Sequence, residues 1–553
     1  MTTTTETSPA VAGARGAGPG WLILVVLLAG QFMALLDVTI VNVAMPTIGR
    51  SLHASGAELQ LVIAGYLVSY AMLLITGARL GDLLGRRRVF LLGLGVFTLA
   101  SLACGLAPGI GVLVAARFVQ GAGAAAMIPQ IMSVIQVRFS GVARARALSA
   151  YTAVLSSGFV VGQIVGGALV TANLFGSGWR PVFLVNVPIG LAVLAFAPRL
   201  VPRDAPSGQR RLDLRGLSIA VPAVFLVVLP LMLGHQERWP AWAFGCVALG
   251  CALAVVFVWT ERAVAAAGGD PLLRLAVLRS PGLLSGLGAV VLLMCPYGGF
   301  LFSLAIHLQA GLGDDPLRAG LVFAPCAVVF GLCGYFWRRL PDPWHPFLTP
   351  AGCLAGAAGY AGMAATLQSG GSGGLLLQVF LIVTGGGLAL AFSPLVTHAL
   401  VRVPVTAAAD ASGLLTTAIQ LGQAVGVAVF GSLFLTLDAR GGPGPGVSGH
   451  AIAVTLDWVA VATAFGVLAA VPLTRTVLAA RRGSTPPPRL PPIGDRSRAA
   501  LRVCSARAGP ALSLAGFDRA RGQMRRTRVG ARLPAGLSRY IVDFIIASCW
   551  GKL

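Results

Sequence analysis

The chain has 553 residues, of which 56% are hydrophobic and only 11% are charged. A soluble globular domain carries about 25% charged residues, so the composition excludes a water-soluble protein, and it excludes disorder over most of the length. A bilayer can solvate this much apolar surface, and the 72 glycines suit closely packed membrane helices. The composition therefore predicts an integral membrane protein.

The formal net charge of +23 is unevenly distributed along the chain. Residues 474–553 hold 16 Arg and Lys against 3 Asp and Glu, whereas the rest of the chain holds 25 against 15. We interpret this basic segment as a disordered cytoplasmic tail and expect no nucleic-acid partner. Lys552 is the only lysine, which excludes the phosphate-binding loop of an ATP-driven pump.

Apolar segments long enough to cross a ~30 Å hydrocarbon core follow one another along the chain. Residues 1–20, rich in Thr, Ala and Gly, precede them and are predicted to be a disordered cytoplasmic N-terminus. We expect an all-α polytopic membrane protein with 14 transmembrane helices. The predicted spans are 21–46, 59–79, 88–106, 110–136, 147–172, 181–200, 215–234, 240–260, 283–309, 319–338, 347–367, 374–400, 411–437 and 453–473.

The arginines indicate the orientation of these spans. With the N-terminus inside, the inner loops hold 18 arginines and the outer loops hold 5. Because short cytoplasmic loops of membrane proteins are enriched in basic residues, both termini are predicted to be cytoplasmic. We expect a multi-pass protein of the plasma (inner) membrane.

A faint repeat relates elements that lie eight spans apart. Gly162–Gly166 in span 5 resembles Gly422–Gly426 in span 13, and Arg86–Arg88 after span 2 resembles Arg338–Arg339 after span 10. Parallel six-helix repeats are a feature of one transporter class. We predict two six-helix halves, 21–200 and 283–473, related by a pseudo-two-fold axis, with two extra helices in 201–282.

Two charged side chains are predicted to lie deep within spans. Asp37 is in span 1 and Arg117 in span 4, with Gln120 on the same helical face as Arg117. A charge at membrane depth is costly and marks a functional site by default. Asp37 is the candidate proton site and Arg117 its electrostatic partner, although a static contact between spans 1 and 4 is the alternative. Candidate polar residues of a central cavity are Gln31, Asn42, Gln120 and Gln163.

Glycines recur along span 5 and predict close helix packing. They form a smooth stripe on which a neighbouring helix can approach. A hinge role is an equally open interpretation. The predicted packing residues are Gly158, Gly162, Gly166 and Gly167.

The nine cysteines are scattered and include no C-x-x-C, and the six histidines do not pair at metal-ligand spacing. We therefore expect buried free thiols and no metal site. Because no nucleophile or catalytic carboxylate pair is recognisable either, we expect no enzymatic activity.

Five segments carry recognisable motifs: Leu36–Pro46, Ala78–Arg88, Arg117–Gly123, Gly158–Gly167 and Trp179–Gly190. Together they resemble the fourteen-helix branch of drug:proton antiporters in the major facilitator superfamily, over about residues 21–473. The second segment resembles the loop motif of the superfamily, with Ala78 and Leu83 as departures. The third resembles its span 4 motif R-x-x-Q-G-x-G, and the fourth its antiporter motif, with Gln163 in place of the usual proline.

The resemblance implies a role for the junction after span 2, which would control the switch between inward- and outward-facing states. It also implies that Arg117 takes part in proton coupling. The residues implied in the switch are Asp82, Gly85, Arg86, Arg87 and Arg88.

We therefore predict a monomeric secondary transporter that exports hydrophobic or amphipathic drugs or antibiotics, uses the proton motive force and needs no cofactor. Two alternatives stay open. One is an importer or exchanger of a small hydrophilic solute on the same scaffold. The other is a membrane receptor or scaffold that transports nothing.

Overall fold

The computed structural model describes residues 20–203, 213–233, 240–269, 271, 275–400, 403, 408–440 and 444–483. In these ranges the regular elements are helices, and no strand is present. The all-α class is thereby confirmed. The predicted disordered N-terminus, except for Gly20, and the tail beyond Gly483 lie outside the described residues.

The first helical bundle extends to residue 200, and a two-helix hairpin follows it. In the bundle, the predicted span 181–200 is formed by two consecutive helices. Its helices are α1 Gly20–Leu52, α2 Gly56–Leu84, α3 Arg86–Gly105, α4 Ile110–Arg138, α5 Gly141–Ala172, α6 Pro181–Leu184 and α7 Asn186–Leu200. The hairpin consists of α8 Leu214–Leu233 and α9 Ala241–Ala266.

The second bundle begins at residue 283. Two of its helices continue into π-helical turns, at His307–Gly311 and Val427–Gly431. Its helices are α10 Leu283–Ile306, α11 Pro316–Phe336, α12 His345–Leu367, α13 Gly374–Leu400, α14 Ala408–Gly426, α15 Ser432–Arg440 and α16 Pro445–Gly483.

A helix overlaps each of the predicted spans. In the described part of the chain, eleven helices are long and apolar enough to cross a membrane. A polytopic membrane protein is therefore confirmed, while the count of fourteen spans stays a prediction. The last helix, α16, continues past the predicted end of span 14 to Gly483, and the predicted tail from residue 474 stays a prediction. Good helix formers follow residue 473, and a glycine commonly ends such a helix.

Two helix pairs form the most extensive contacts between the bundles: α5 packs against α11, and α2 packs against α14. Under the eight-span repeat α2 corresponds to α11 and α5 to α14, so each pair maps onto the other. This exchange is what a two-fold relation between the halves requires. The hairpin lies outside the bundles, with α8 packed on α2 and α9 packed on α8.

The α5–α11 contact is backbone against backbone. A Cβ on Gly167 would lie 2.5 Å from the carbonyl oxygen of Pro316, and a Cβ on Gly320 would lie 2.5 Å from that of Gln163. Glycine is needed at both positions because any side chain would push the two helices apart. We call this contact between the bundles the seam.

Candidate functional site

Asp37 and Arg117 form an ion pair inside the first bundle. The Arg117 Nη1 atom lies 2.5 Å from Asp37 Oδ2, and the side chains are 1% and 0% exposed. The pair joins α1 to α4. An isolated buried charge would be very costly, so the neighbours of this pair decide whether it is stable.

Two amide side chains complete the hydrogen bonding of the Asp37 carboxylate. Gln120 Nε2 donates to Asp37 Oδ1 at 2.7 Å, and Asn186 Nδ2 donates to the same oxygen at 3.0 Å. Gln120 also donates to Ser101 Oγ and accepts from Arg117 Nη1, each at 2.7 Å. The carboxylate therefore accepts from three side chains on α1's neighbours α4 and α7.

Arg117 has further partners that do not involve Asp37. Its Nε donates to the carbonyl oxygen of Val62 at 2.9 Å. Its guanidinium carbon lies 4.4 Å from the centre of the Tyr66 ring and 5.7 Å from that of Phe183. A cation over an aromatic ring is stabilised electrostatically, by about 2 kcal/mol or more when desolvated. The arginine would therefore retain good contacts if Asp37 became neutral.

We name Asp37, Ser101, Arg117, Gln120 and Asn186 the charged network. Asp37 Oδ1 accepts two hydrogen bonds and Oδ2 accepts one, so both carboxylate oxygens have partners on α4 or α7. The charged network thereby joins α1 to α4 and α7.

Ser101 and Asn186 were not predicted as site residues. Asn186 lies in the segment Trp179–Gly190 that carries part of the family resemblance, which is a signal that the sequence offered. Ser101 is a small hydroxyl within an apolar helix, and such residues are too common in membrane helices to indicate a site.

The span 5 glycines lie against the opposite face of α1 from Asp37. A Cβ on Gly158 would lie 2.9 Å from Leu35 Cβ, and one on Gly162 would overlap the Thr39 hydroxyl. A Cβ on Gly166 would lie 3.0 Å from the carbonyl oxygen of Ile40. Gly167 differs, because it faces α11 across the seam. One helix, α1, therefore carries the proton candidate on one face and the α5 contact on the other.

A small cavity of about 20 Å³ lies at the seam, between α5 of the first bundle and α10, α11 and α13 of the second. Gln163 is the α5 residue in its wall, and its Oε1 has no hydrogen-bond partner among the described residues. The other lining residues are apolar or aromatic: Tyr297, Leu301, Phe323, Cys326, Ala327, Phe330 and Leu388.

The remaining cavity candidates lie elsewhere. Gln120 belongs to the charged network and is not among the residues that line the seam cavity. Asn42 donates back to the carbonyl oxygen of Val38 in its own helix, at 3.2 Å. Gln31 is buried on α1 and is not among the residues that line the seam cavity. The roles of Gln31, Asn42 and Gln120 in cargo binding stay predictions.

The predicted switch loop is a single residue. Gly85 alone separates α2 from α3, and its φ of 90° permits a turn this sharp. Arg86, Arg87 and Arg88 form the first turn of α3, where the helix dipole disfavours positive charge. Asp82 offsets part of this charge, with its Oδ1 3.7 Å from Arg86 Nη2.

Two helical bundles that meet at a seam cavity, with a charged network buried in one of them, define a membrane transporter. The family model of the Major Facilitator Superfamily matches residues 27–427. The chain belongs to this superfamily, which confirms the resemblance found in its motifs. It is therefore a multi-pass membrane transporter and not an enzyme.

Curated relatives share about a third of their residues with this chain. The probable actinorhodin transporter of Streptomyces coelicolor is 38% identical over 75% of this chain and 73% of the relative. The cephamycin export protein of Amycolatopsis lactamdurans is 37% identical over 76% and 85%. The tetracenomycin C resistance and export protein of Streptomyces glaucescens is 31% identical over 75% and 76%.

Solved structures share the fold. A bacterial homologue of the human lysosomal transporter Spinster, inward-facing and unoccupied, aligns with a TM-score of 0.60 at 17% identity, over 83% of this chain and 98% of that one. An auto-inhibited peptide transporter of the POT family aligns with a TM-score of 0.58 at 16% identity, over 85% and 99%. At these identities the likeness concerns the fold alone.

Proposed function

We propose that this transporter is a proton-driven exporter of hydrophobic or amphipathic small molecules of the antibiotic kind. Its relatives support this class of cargo, since their names describe export of, or resistance to, actinorhodin, cephamycin and tetracenomycin C. The lining of the seam cavity agrees, because one amide and a wall of apolar and aromatic side chains suit a greasy molecule better than a sugar or an organic anion.

The proposal of proton coupling rests on the charged network. Asp37 is enclosed in the first bundle, and Arg117 retains Val62, Gln120 and Tyr66 as partners when Asp37 is neutral. Asp37 can therefore take up a proton while Arg117 keeps its other hydrogen-bond partners. The network is also separate from the cavity, so proton and cargo need not compete for one site.

The path between the two sites runs through α1 and α5. Asp37 faces α4 and α7, while Leu35 and Thr39 on the other face of α1 contact the α5 glycines. Gln163 lies among those glycines, at the wall of the cavity. A displacement of α1 on protonation would shift α5 and so open or close the seam. Alternating access would follow as a relative motion of the two bundles.

We place the protein in the plasma membrane with both termini cytoplasmic, following the excess of arginine in the predicted inner loops. The test uses everted vesicles from an efflux-deleted bacterium, in which export is accumulation inside the vesicle. With the interior acidified, the full chain should concentrate hydrophobic dyes and antibiotics. A protonophore should abolish this accumulation, and a sodium gradient alone should not support it. Accumulation that survives the protonophore would contradict proton coupling.

A further inference from the structure

A buried histidine lies in the second bundle, apart from the charged network and the seam cavity. His307 begins the π-helical turn His307–Gly311 that follows α10, and its side chain is 0% exposed. With both termini cytoplasmic, this turn lies at the outer end of its helix. Single π-helical turns occur frequently at functional sites. The proposed proton coupling does not use this histidine.

Two residues of the same bundle determine which nitrogen of His307 carries hydrogen. Its Nδ1 lies 2.9 Å from Ser448 Oγ, and the Ser448 hydroxyl donates to the carboxylate of Asp438. A serine hydroxyl has one hydrogen, so the hydrogen between Nδ1 and Ser448 belongs to the imidazole. Nδ1 therefore carries the hydrogen of the neutral ring, and the free lone pair is on Nε2.

The Nε2 atom of His307 is enclosed and has no hydrogen-bond partner among the described residues. A proton bound there would create an N–H group without an acceptor and a positive charge away from water. Burial disfavours the charged form, so the enclosed arrangement holds the neutral ring. A state in which water reaches Nε2 would bind the proton more tightly.

The charged side chains on the surrounding elements are occupied or exposed. Arg318 on α11 pairs with Asp314 at 3.2 Å. His450 and Asp457 on α16 and Arg50 on α1 are exposed, and α10 has no charged residue. Among the described residues, the charge linked to His307 is therefore that of Asp438, which is half-buried on α15.

The turn that begins with His307 also contacts the first bundle. Gln309 Nε2 donates to the carbonyl oxygen of Val43 on α1 at 2.8 Å, and both residues are buried. Thr171 Oγ1 donates to Asp315 Oδ2 across the seam, also at 2.8 Å. Both hydrogen bonds lie toward the outer ends of the helices, so the outer side is closed in this structure. Separation of the bundles at this end would break them and bring water to the turn.

We propose that His307 is a second proton-binding site, loaded from the outer side, whose protonation favours the state in which the outer ends of the two bundles are separated. A ligand that binds one state more tightly shifts the equilibrium toward that state. The proposal rests on the proposed function only for the orientation of the chain. In an exporter, an acidic exterior would then favour release of cargo to the outside.

The experiment measures the distance between the outer ends of the bundles by double electron–electron resonance. Spin labels are attached to Leu174→Cys and Gly446→Cys, at two exposed positions, in the full chain without native cysteines in nanodiscs. Asp37→Asn is included so that the charged network cannot titrate. Between about pH 8 and pH 5, the range in which histidine titrates, the long-distance population should rise roughly fivefold.

Three variants identify the group that titrates. His307→Asn keeps a side-chain N–H near Ser448 but cannot be protonated, so the distance should stay short as the pH falls. His450→Gln, at the exposed histidine on α16, is the matched control and should respond as the parent does. Asp438→Asn removes the negative charge linked through Ser448, which makes protonation less favourable, and should move the midpoint to lower pH by roughly one unit.

Monodisperse elution and an unchanged short distance at the alkaline end show that each variant is folded. With Asp37 restored, the parent and His307→Asn should differ in the same way. A parent distance that does not respond to pH, or a response that persists in His307→Asn, would overturn the proposal. An unchanged midpoint in Asp438→Asn would contradict it as well. A His307-dependent response in a protein without proton-driven accumulation in everted vesicles would contradict the export proposal and leave this site in place.

Discussion

Arg117 Nη1 lies 2.5 Å from Asp37 Oδ2, and neither side chain has meaningful contact with solvent or lipid. The two residues are on α4 and α1, so the pair ties together helices that are distant in sequence. Breaking a buried pair by removing one partner typically destabilises a protein by about 3–5 kcal/mol. Here the loss of stability depends on which partner is removed. Arg117 has further contacts with Val62, Gln120 and Tyr66, whereas the other donors to Asp37, Gln120 and Asn186, are neutral amides.

Asp37→Asn should fold and lose uphill transport. The asparagine mimics the neutral carboxyl in shape, and Arg117 keeps the Val62 carbonyl, Gln120 and the Tyr66 ring. We expect nearly normal yield of monodisperse protein, with proton-driven accumulation in everted vesicles abolished and downhill exchange retained. Arg117→Leu is the contrasting variant, since it leaves Asp37 without its cation, and its yield should drop sharply. A well-expressed Asp37→Asn protein that still concentrates cargo would remove Asp37 as the obligatory proton site.

The adjacent glycines Gly166 and Gly167 should respond differently to alanine. A Cβ on Gly166 would lie 2.8 Å from Ile40 Cγ1 and 3.0 Å from its carbonyl oxygen, inside one bundle. Overpacking a core costs about 1–3 kcal/mol, so Gly166→Ala should reduce folded yield and thermal stability. A Cβ on Gly95 would meet nothing within 4 Å, which makes Gly95→Ala the control.

Gly167→Ala should instead shift the balance between states. Its Cβ would lie 2.5 Å from the Pro316 carbonyl oxygen across the seam, and the bundles can relieve this clash by moving apart as rigid bodies. We expect normal yield but less cross-linking between cysteines introduced at Thr171 and Asp315, whose side chains are hydrogen-bonded at 2.8 Å. Unchanged cross-linking together with loss of folded protein would assign Gly167 to simple packing.

Asp82→Asn should be well expressed and poorly active. The substitution keeps the size of the side chain but removes the charge that faces Arg86 and the basic first turn of α3. An interaction that favours one state of the transporter would be weakened, and the populations would shift accordingly. Initial rates of uptake into everted vesicles, normalised to protein, measure the effect. A wild-type rate would mean that this junction has no part in switching. The departures from the loop motif of the superfamily at Ala78 and Leu83 would then account for the loss of that role.

Cysteine labelling tests the orientation. In a background without native cysteines, an impermeant maleimide added to intact cells should label a cysteine in the 368–374 connection and should not label one at Arg87. The expectation follows from the arginine distribution. Labelling in the reverse sense would overturn both the orientation and the proposed direction of transport.

Much of the architecture was predictable because its signals are local. Hydropathy along the chain places each helix, since crossing a bilayer requires about 20 apolar residues in sequence whatever the neighbours are. The rarity of charge at membrane depth singled out Asp37 and Arg117. Four-residue spacing of Gly158, Gly162 and Gly166 likewise predicted a face on which a helix packs.

The sequence did not predict which neighbour each helix face contacts. These contacts determine which candidate residues lie in the charged network and which line the seam cavity. A membrane helix is apolar all round, so the sequence carries little information about its rotation around its own axis. Gln120 and Gln163 looked equivalent as cavity candidates, yet one binds Asp37 and the other lines the seam. Ser101 and Asn186 joined the network because α3 and α7 present those faces to α1 and α4.

The sequence by itself determined the class of the protein, its superfamily, the positions of its helices and the two buried charges, because each depends on composition or on spacing within one segment. Only the tertiary structure decided that the charged network is enclosed in one bundle while the cavity lies at the seam, with α1 and α5 between them. That arrangement arises from helices packed across large sequence separations, where glycines and small side chains set how closely two backbones approach.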